Sequence, residues 1–460
     1  MKKIIIALTL PCVMLATSCS KFVDGYETSP NNTTKATGPL VLSGAELGLM
    51  SVYTGTPARA TAILTQQLGG TADQMLAYDM YDIKEGDANN DWNNIFNNII
   101  QPCNDIVANY SQGNSHNKGI ALIVKAMALG VATDLWGDIP AKEAGMGIIN
   151  GNFTPKYDAQ KDVYTYIQSL LDEGITALKE SKPDIREVGG NDFFFGGDLD
   201  RWTNTAYILK ARYAIHLSKK NPADASTQAL EALKNVNKDF GDLRTVYGTP
   251  TNENNQWYQF KMGRAALLRM GAQLINMMNA SNDPRLSVYA DTAKGGVYRG
   301  ALPASEDLSA SRVGRYMADT ISPITLVGYV EAAFIKAEAN FRLGKQSEAA
   351  AAYNDAVLTH VKNATGKDAP AAFVTGYASE TAATITLEKI MSQKYVALFA
   401  QIESYTDWRR TGFPVLTPNP DNVLNKPAIP RRFPTDINER LYNPNAVRVT
   451  DILKPVWWDE

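Results

Sequence analysis

The sequence predicts an all-α (mainly) fold built from paired helices, with one loop-rich irregular subdomain. Between residues 326 and 343, apolar side chains recur every three or four positions, which places them on one face of a helix. These side chains are Leu326, Val330, Ala333, Phe334, Ala337 and Phe341. Gly344 ends this helix, and a second apolar face follows at Ala349, Tyr353 and Ala356. The two faces predict a pair of antiparallel helices.

The small and aromatic residues of this pair match the later half of a tetratricopeptide repeat. The repeat has the order small, Gly, small, aromatic, small, which is present at Ala337, Gly344, Ala349, Tyr353 and Ala356. Small residues let two helices approach closely, and the aromatic ring fills the gap toward the next pair. One pair cannot bury its apolar faces alone, so we expect a tetratricopeptide-like scaffold of several pairs.

Further segments have helical periodicity, and one region does not. The helical segments are residues 40–69, 92–110, 118–135, 157–178, 201–217, 225–236 and 387–402. Residues 73–90 contain two tyrosines and four aspartates and predict an exposed loop. Residues 238–325 are punctuated by Gly, Pro, Asn and Tyr, which predicts a loop-rich insertion. Both belong to a body spanning residues 39–460.

Composition limits the classes of function. The 460 residues are 45% hydrophobic, enough for a large core, and the formal net charge of −3 argues against nucleic acid as the main partner. The three histidines, His116, His216 and His360, lie far apart and form no metal-binding pair. No phosphate-binding Gly-Lys loop or Gly-x-Ser-x-Gly motif is present. We therefore predict no metal, no cofactor and no catalytic residue.

The first 38 residues predict a lipoprotein export signal followed by a tether. Lys2 and Lys3 precede a short apolar run, as in a signal peptide. Small residues then precede Cys19, so residues 1–18 are predicted to be removed and Cys19 to be lipidated. The alternative is an ordinary signal peptide with a chance cysteine. Residues 19–38 are rich in Asn, Thr, Ser and Pro, which predicts an extended tether. We expect no membrane-spanning helix after this segment.

Several short blocks, in their order along the chain, together resemble one family. The blocks are Trp92 with Asn97, Asn98 and Asn104; residues 134–140; Gly196, Gly197, Asp198 and Trp202 ahead of Arg212; residues 283–285; residues 336–339; residues 408–414; and Ile429, Pro430, Arg432 and Pro434. They follow the lipid cysteine and its Asn- and Pro-rich tether. The chain is thereby similar to the SusD-like (RagB/SusD) nutrient-binding lipoproteins of the Gram-negative outer membrane.

The resemblance implies a binding protein and not an enzyme, held by lipid at the outer face of the outer membrane. It also implies a partner, a TonB-dependent transporter of the SusC type. The lipoprotein would act as a hinged lid that captures an oligosaccharide, or in some cases a peptide. Two alternatives remain from the residues themselves. A glycosidase needs only two carboxylates, and helical repeats often serve as scaffolds for protein interaction.

Two clusters of aromatic and polar residues are the candidate ligand site. A sugar needs a flat apolar surface for its ring and amides or carboxylates for its hydroxyls. Tyr78 and Tyr81 lie beside aspartates, and Trp257 and Tyr258 lie between Asn and Gln residues. We predict these four as ligand contacts, the alternative being that they are structural anchors. The tryptophans in the scaffold motifs are predicted to be core residues: Trp92, Trp136, Trp202 and Trp408.

Overall fold

The computed structural model of the chain describes residues 36–180 and 187–460 and confirms a mainly helical fold. The α-helices are Gly38–Thr54, Thr56–Leu64, Asp73–Asp79, Asn89–Asn93, Gln101–Asp105, Ser115–Trp136, Gly147–Asn150, Gln160–Leu178, Leu199–His216, Pro222–Leu233, Gln256–Gly263, Ala272–Ala280, Leu286–Tyr289, Tyr329–Arg342, Gln346–Thr365, Ala371–Tyr377, Leu387–Ala397, Glu403–Thr411 and Ile437–Tyr442. Two segments are π-helical, Asn94–Ile100 and Ile106–Tyr110. Short 3₁₀ turns occur at Gly189–Asn191, Leu217–Lys219, Lys238–Phe240, Thr251–Glu253 and Trp457–Asp459.

The strands are short and form two-stranded antiparallel sheets. Leu68–Gly70 runs antiparallel to Leu268–Met270, and Leu243–Arg244 runs antiparallel to Thr325–Val327. Both ladders join a segment of the predicted insertion, residues 238–325, to the helical body. That region contains only short helices and turns besides these strands, in agreement with the predicted loop-rich subdomain.

The long helices pack as successive pairs, as expected for tetratricopeptide-like units. Ser115–Trp136 lies along Gln160–Leu178, Leu199–His216 along Pro222–Leu233, and Tyr329–Arg342 along Gln346–Thr365. Tyr353 is buried, and its ring centroid lies 6.3 Å from that of Phe334 on the other helix of the pair. The aromatic position of the repeat therefore fills the space between the helices.

Glycine allows the first of these pairs to approach closely. A Cβ atom on Gly119 would lie 2.8 Å from the Leu178 side chain and 3.0 Å from the Gly174 carbonyl oxygen. Both distances are too short for ordinary packing, so the contact needs a residue without a side chain. The helix containing Gly119 ends at Gly137, whose φ of +81° is accessible to glycine at little cost.

Buried ion pairs connect three helices in the C-terminal part of the chain, which are Tyr329–Arg342, Leu387–Ala397 and Glu403–Thr411. The Arg410 guanidinium contacts both Glu338 carboxylate oxygens and also Asp407, and all three side chains are buried. Lys394 lies 2.8 Å from the second Asp407 oxygen. Asp407 beside Arg410 is thus part of an internal network, which includes Glu338 from a different helix pair.

One helix corrects an expectation about membrane segments. Among the residues that the structure describes, Ser115–Trp136 is long and apolar enough to cross a bilayer, although we expected no such segment. Its apolar window is entirely buried inside the protein, where Ala and Gly residues let neighbouring helices pack on all sides. It is the central helix of the core.

The predicted signal peptide, Cys19 and the tether up to residue 35 lie outside the described residues. Their boundaries stay predictions. The first described helix begins at Gly38, one residue before the predicted start of the body.

Candidate functional site

The predicted aromatic pair Tyr78 and Tyr81 is not in an exposed loop. Tyr78 lies in the helix Asp73–Asp79, is 1% exposed, and its hydroxyl accepts a hydrogen bond from Gln74 at 2.8 Å. Tyr81 is also buried, and its hydroxyl accepts from the Asn419 backbone N–H at 2.9 Å. The expected exposure was therefore wrong for both rings, and the expected loop position was wrong for Tyr78, whereas Tyr81 lies in the turn that follows the helix.

Trp257 and Tyr258 differ from each other. Trp257 is 1% exposed, and the Arg59 guanidinium lies 5.9 Å from its ring centroid. Asn255 caps this helix by accepting from the backbone N–H groups of Trp257 and Tyr258. Tyr258 alone of the four predicted residues is partly exposed. Burial favours an anchoring role for the other three, and the predicted ligand contact of Tyr258 stays a prediction.

A larger concave site lies elsewhere, where three distant segments meet. It is a recess of about 550 Å³. The first segment contributes Asn89, Trp92, Asn93, Phe96, Asn97 and Gln101; the second contributes Pro140, Ala144, Gly145, Gly147, Ile148, Asn152, Phe153 and Pro155; the third contributes Asp436, Asn438, Glu439 and Tyr442. We call this space the amide recess.

A row of amides forms one wall of the amide recess. Asn89, Asn93, Asn97 and Gln101 are spaced four residues apart, and the Asn97 side chain donates to the Asn93 side chain. The Asn94–Ile100 part of this wall is π-helical, a conformation that is found frequently at functional sites. Each amide can both donate and accept a hydrogen bond, which suits a ligand that carries hydroxyl groups.

Aromatic rings form the floor and the rim. Trp92 is buried in the floor, with its ring centroid 4.4 Å from that of Phe96 and 5.1 Å from that of Trp136. Phe153 and Tyr442 stand at the rim and are 76% and 77% exposed. Exposed rings offer flat apolar surface to a ligand.

The loop carrying Phe153 is fixed from two sides. A Cβ atom on Gly147 would lie 2.6 Å from the Phe153 ring, so the ring packs directly against glycine backbone. Asn443 donates to the Pro155 carbonyl at 2.9 Å, and Asn445 donates to the Thr154 carbonyl at 2.8 Å. The C-terminal segment thereby holds this loop in place beside the recess.

Asp436 and Glu439 form the acidic side of the amide recess. Asp436 Oδ1 accepts from the backbone N–H groups of Asn438 and Glu439 at 2.9 and 3.1 Å. Asp436 Oδ2 is buried and has no hydrogen-bond partner among residues 36–180 and 187–460. Burial raises the pKa of Asp436, and burial followed by the Asp436 charge raises the pKa of Glu439. Glu439 accepts a hydrogen bond from the Asn443 side chain, so Asp436 Oδ2 is the unmatched acceptor on this side of the recess among the described residues.

A second cluster of ionisable groups lies inside the core. Asp134, His216 and Glu403 each offer an atom within 4.8 Å of the others, and all are buried. His216 Nε2 lies 2.6 Å from Glu403 Oε1, while Nδ1 lies 3.4 Å from Asp134 Oδ2. Burial opposes the charged ring, but the two carboxylates together raise the pKa of His216 to about 9. Because both ring nitrogens face carboxylates, the cluster stabilises the protonated form of the His216 ring.

The sequence profile of the SusD-like proteins, described as "Starch-binding associating with outer membrane", matches residues 30–434, which is most of the chain. The chain belongs to the SusD-like family. This confirms the resemblance drawn from the motif blocks. SusD-like proteins are non-catalytic binding proteins, so the prediction that the chain is not an enzyme is confirmed as well. A search of curated proteins found no match.

Solved SusD-like structures share the fold of this chain. A chitin-binding protein is 23% identical, with a TM-score of 0.74 over 92% of this chain and 100% of that chain. A chitin-binding SusD homologue from Flavobacterium johnsoniae is 20% identical, with a TM-score of 0.74 over 91% and 98%. A SusD/RagB family protein from Bacteroides thetaiotaomicron is 23% identical, with a TM-score of 0.72 over 92% and 99%.

The amide recess of this SusD-like protein has a signal in the sequence that the predicted site residues do not include. The four-residue spacing of Asn89, Asn93, Asn97 and Gln101 places amides on one helical face. Trp92 was correctly predicted to be a core residue, since only its edge reaches the recess. The other two walls come from segments about 50 and 340 residues further along the chain, so no local pattern could have joined them.

Proposed function

We propose that this SusD-like protein captures an oligosaccharide in the amide recess and delivers it to a SusC-like TonB-dependent transporter in the outer membrane. The observation that carries the proposal is the row of amides beside the exposed rings of Phe153 and Tyr442. A pyranose presents one apolar face of C–H groups and a rim of hydroxyls. The rings match the face, and the amides match the hydroxyls.

The family and its solved members suggest which glycans to test first. The family description names starch, and two similar structures are of chitin-binding proteins. Both polymers are built from glucose-type pyranoses, whose mostly equatorial substituents leave flat ring faces. We therefore propose α-glucan and chitin oligomers as the first ligands for this recess.

The transporter partner and the lipid anchor follow from the family and from the N-terminal residues. Cys19 is the proposed lipid attachment site, and residues 19–38 are the proposed tether. Purification of the tagged mature protein in mild detergent should recover a large TonB-dependent barrel. If only unrelated proteins are recovered under conditions that retain the lipid anchor, the transporter role is wrong.

The glycan site is tested by calorimetry with maltohexaose and chitohexaose. Phe153→Ala and Tyr442→Ala should each weaken binding about tenfold, because losing about 60 Å² of buried apolar contact costs about 1.5 kcal/mol. Phe193→Ala removes an exposed phenylalanine elsewhere and should leave the affinity unchanged. Phe153→Ala and Tyr442→Ala should melt like the wild type, since these two rings are mostly exposed, and a melting curve verifies that Phe193→Ala is folded.

Three further outcomes separate the alternatives. If Tyr258→Ala abolishes binding while Phe153→Ala and Tyr442→Ala do not, the ligand lies at the residues predicted from the sequence and the amide recess is the wrong site. If a peptide library binds and no glycan does, the transporter role remains and the ligand class is wrong. Hydrolysis of either hexasaccharide by the purified protein, lost in a single carboxylate variant, would favour a glycosidase.

A further inference from the structure

The charged side chains that line the amide recess are all of one sign. Asp436 and Glu439 line it, and among the residues that the structure describes no Lys, Arg or His does so. Two arginines near the acidic side of the recess pair with Glu85. Arg440 Nε lies 3.0 Å from a Glu85 carboxylate oxygen, and Arg448 Nε lies 3.6 Å from the same oxygen. Among the residues that the structure describes, the charged side chains that line the recess are therefore all acidic.

The hydrogen-bonding groups of the recess also favour an uncharged ligand. Asp436 Oδ2 is buried without a partner among the described residues, and an unmatched buried acceptor favours a ligand that donates. Sugar hydroxyls and acetamido N–H groups are donors. Ionised carboxylate and sulfate groups are acceptors only, so they would leave Asp436 unmatched and would add a like charge.

Burial strengthens the repulsion between these carboxylates and a ligand anion. Asp436 is fully buried and Glu439 is only partly exposed, so water does not fully solvate either carboxylate. A ligand anion would enter the same poorly solvated space, where repulsion between like charges is several times stronger than in bulk water.

We infer that the amide recess accepts uncharged glycans and rejects uronate-containing or sulfated ones, with Asp436 and Glu439 as the residues that determine this specificity. The inference rests on the proposed function and adds the ligand class to it. It also means that the amide row alone does not set selectivity, since amides bind neutral and anionic sugars alike.

The test compares each glycan with its own anionic form. Maltohexaose and chitohexaose are titrated beside derivatives whose C6 hydroxyls have been oxidised to carboxylates, using detergent-purified mature protein. The oxidised forms should bind at least about tenfold more weakly, and the difference should shrink in 1 M salt because screening weakens repulsion between charges.

Variants that neutralise one carboxylate test whether Asp436 and Glu439 cause the difference in affinity. Glu439→Gln and Asp436→Asn should each narrow the ratio of neutral to oxidised affinity by at least about threefold. Asn is as good a helix cap as Asp, so Asp436→Asn retains the local fold, and melting curves verify this. Glu231→Gln is the matched control, because Glu231 is exposed on the distant helix Pro222–Leu233 and the change in net charge is the same.

The outcomes distinguish this inference from the proposed function. Oxidised glycans that bind as tightly as the neutral ones overturn the inference, as does an affinity ratio that Glu439→Gln and Asp436→Asn leave unchanged. In both cases the recess remains a glycan site. If neither the neutral nor the oxidised hexasaccharides bind, the proposed glycan function fails, and the inference fails with it.

Discussion

Raising the pH from 7.5 to 9 should destabilise this SusD-like protein through one residue, His216. Its ring is fully buried at the end of the helix Leu199–His216, between Glu403 and Asp134. The Tyr164 hydroxyl lies 2.8 Å from His216 Nδ1 and also bonds Asp134. The folded state therefore holds the ring as a cation, whereas the unfolded chain releases the proton near the ordinary pKa.

The pKa values set the size and sign of the effect. The folded pKa of His216 is about 9, above the ordinary value of 6.5. A raised folded pKa contributes stability that is fully present below pH 6.5 and is lost as the pH rises through 9. Linkage gives about 3 kcal/mol at pH 6, about 2 kcal/mol at pH 7.5 and about 0.4 kcal/mol at pH 9. We expect a loss of about 1.5 kcal/mol between pH 7.5 and 9.

The assay is urea unfolding of three proteins across this pH range. Wild type and His360→Gln should show the full loss, because burial followed by the Arg285 charge lowers the pKa of His360 and keeps that ring neutral throughout. His216→Gln should be less stable at every pH, since Glu403 and Asp134 lose their cation, but its stability should change little between pH 7.5 and 9. An equal loss in His216→Gln would refute the assignment of a buried imidazolium.

Three other perturbations have defined outcomes. Arg410→Met should lower the free energy of unfolding by about 3 kcal/mol, measured by urea titration, because Glu338 and Asp407 lose the cation that they share and keep only Arg342 and Lys394 respectively. Gly147→Ala should weaken glycan binding about threefold by displacing the Phe153 ring. Gly44→Ala is the control and should leave the affinity unchanged, because a Cβ atom at Gly44 would meet nothing within 4 Å. Equal affinities of the two variants would show that the position of the Phe153 ring is unimportant for binding. Cys19→Ala should move the protein out of the outer-membrane fraction, and an unchanged distribution would exclude lipidation there.

The helical scaffold was predictable because the periodicity of a helix depends on residues that are close together along the chain. Apolar residues at helical spacing in the segment from Val330 to Phe341 produce a buried face whatever the rest of the chain does. The small residues of the repeat pattern, such as Ala337 and Ala356, likewise predict close packing of neighbouring helices. The motif blocks then placed these helices in a known family, which the profile match confirmed.

The candidate site was predicted less well, because the exposure of a side chain depends on residues that are distant along the chain. Tyr78 and Trp257 have the composition of a sugar site, yet both are buried, and Trp257 lies near Arg59, a residue far away in the sequence. Tyr81 is held by Asn419, 338 residues away. An aromatic beside an amide has the same local appearance whether a ligand or another part of the chain covers it.

The sequence by itself determined the paired helices and the family, because each of these depends on residues that are neighbours along the chain. Only the tertiary structure decided which polar and aromatic side chains share a surface. It placed Asn97, Phe153 and Glu439 around one recess, although more than 50 residues separate each from the next. The physical reason is that a binding site requires side chains to converge in space, and convergence is set by how the helices pack and not by their individual periodicity.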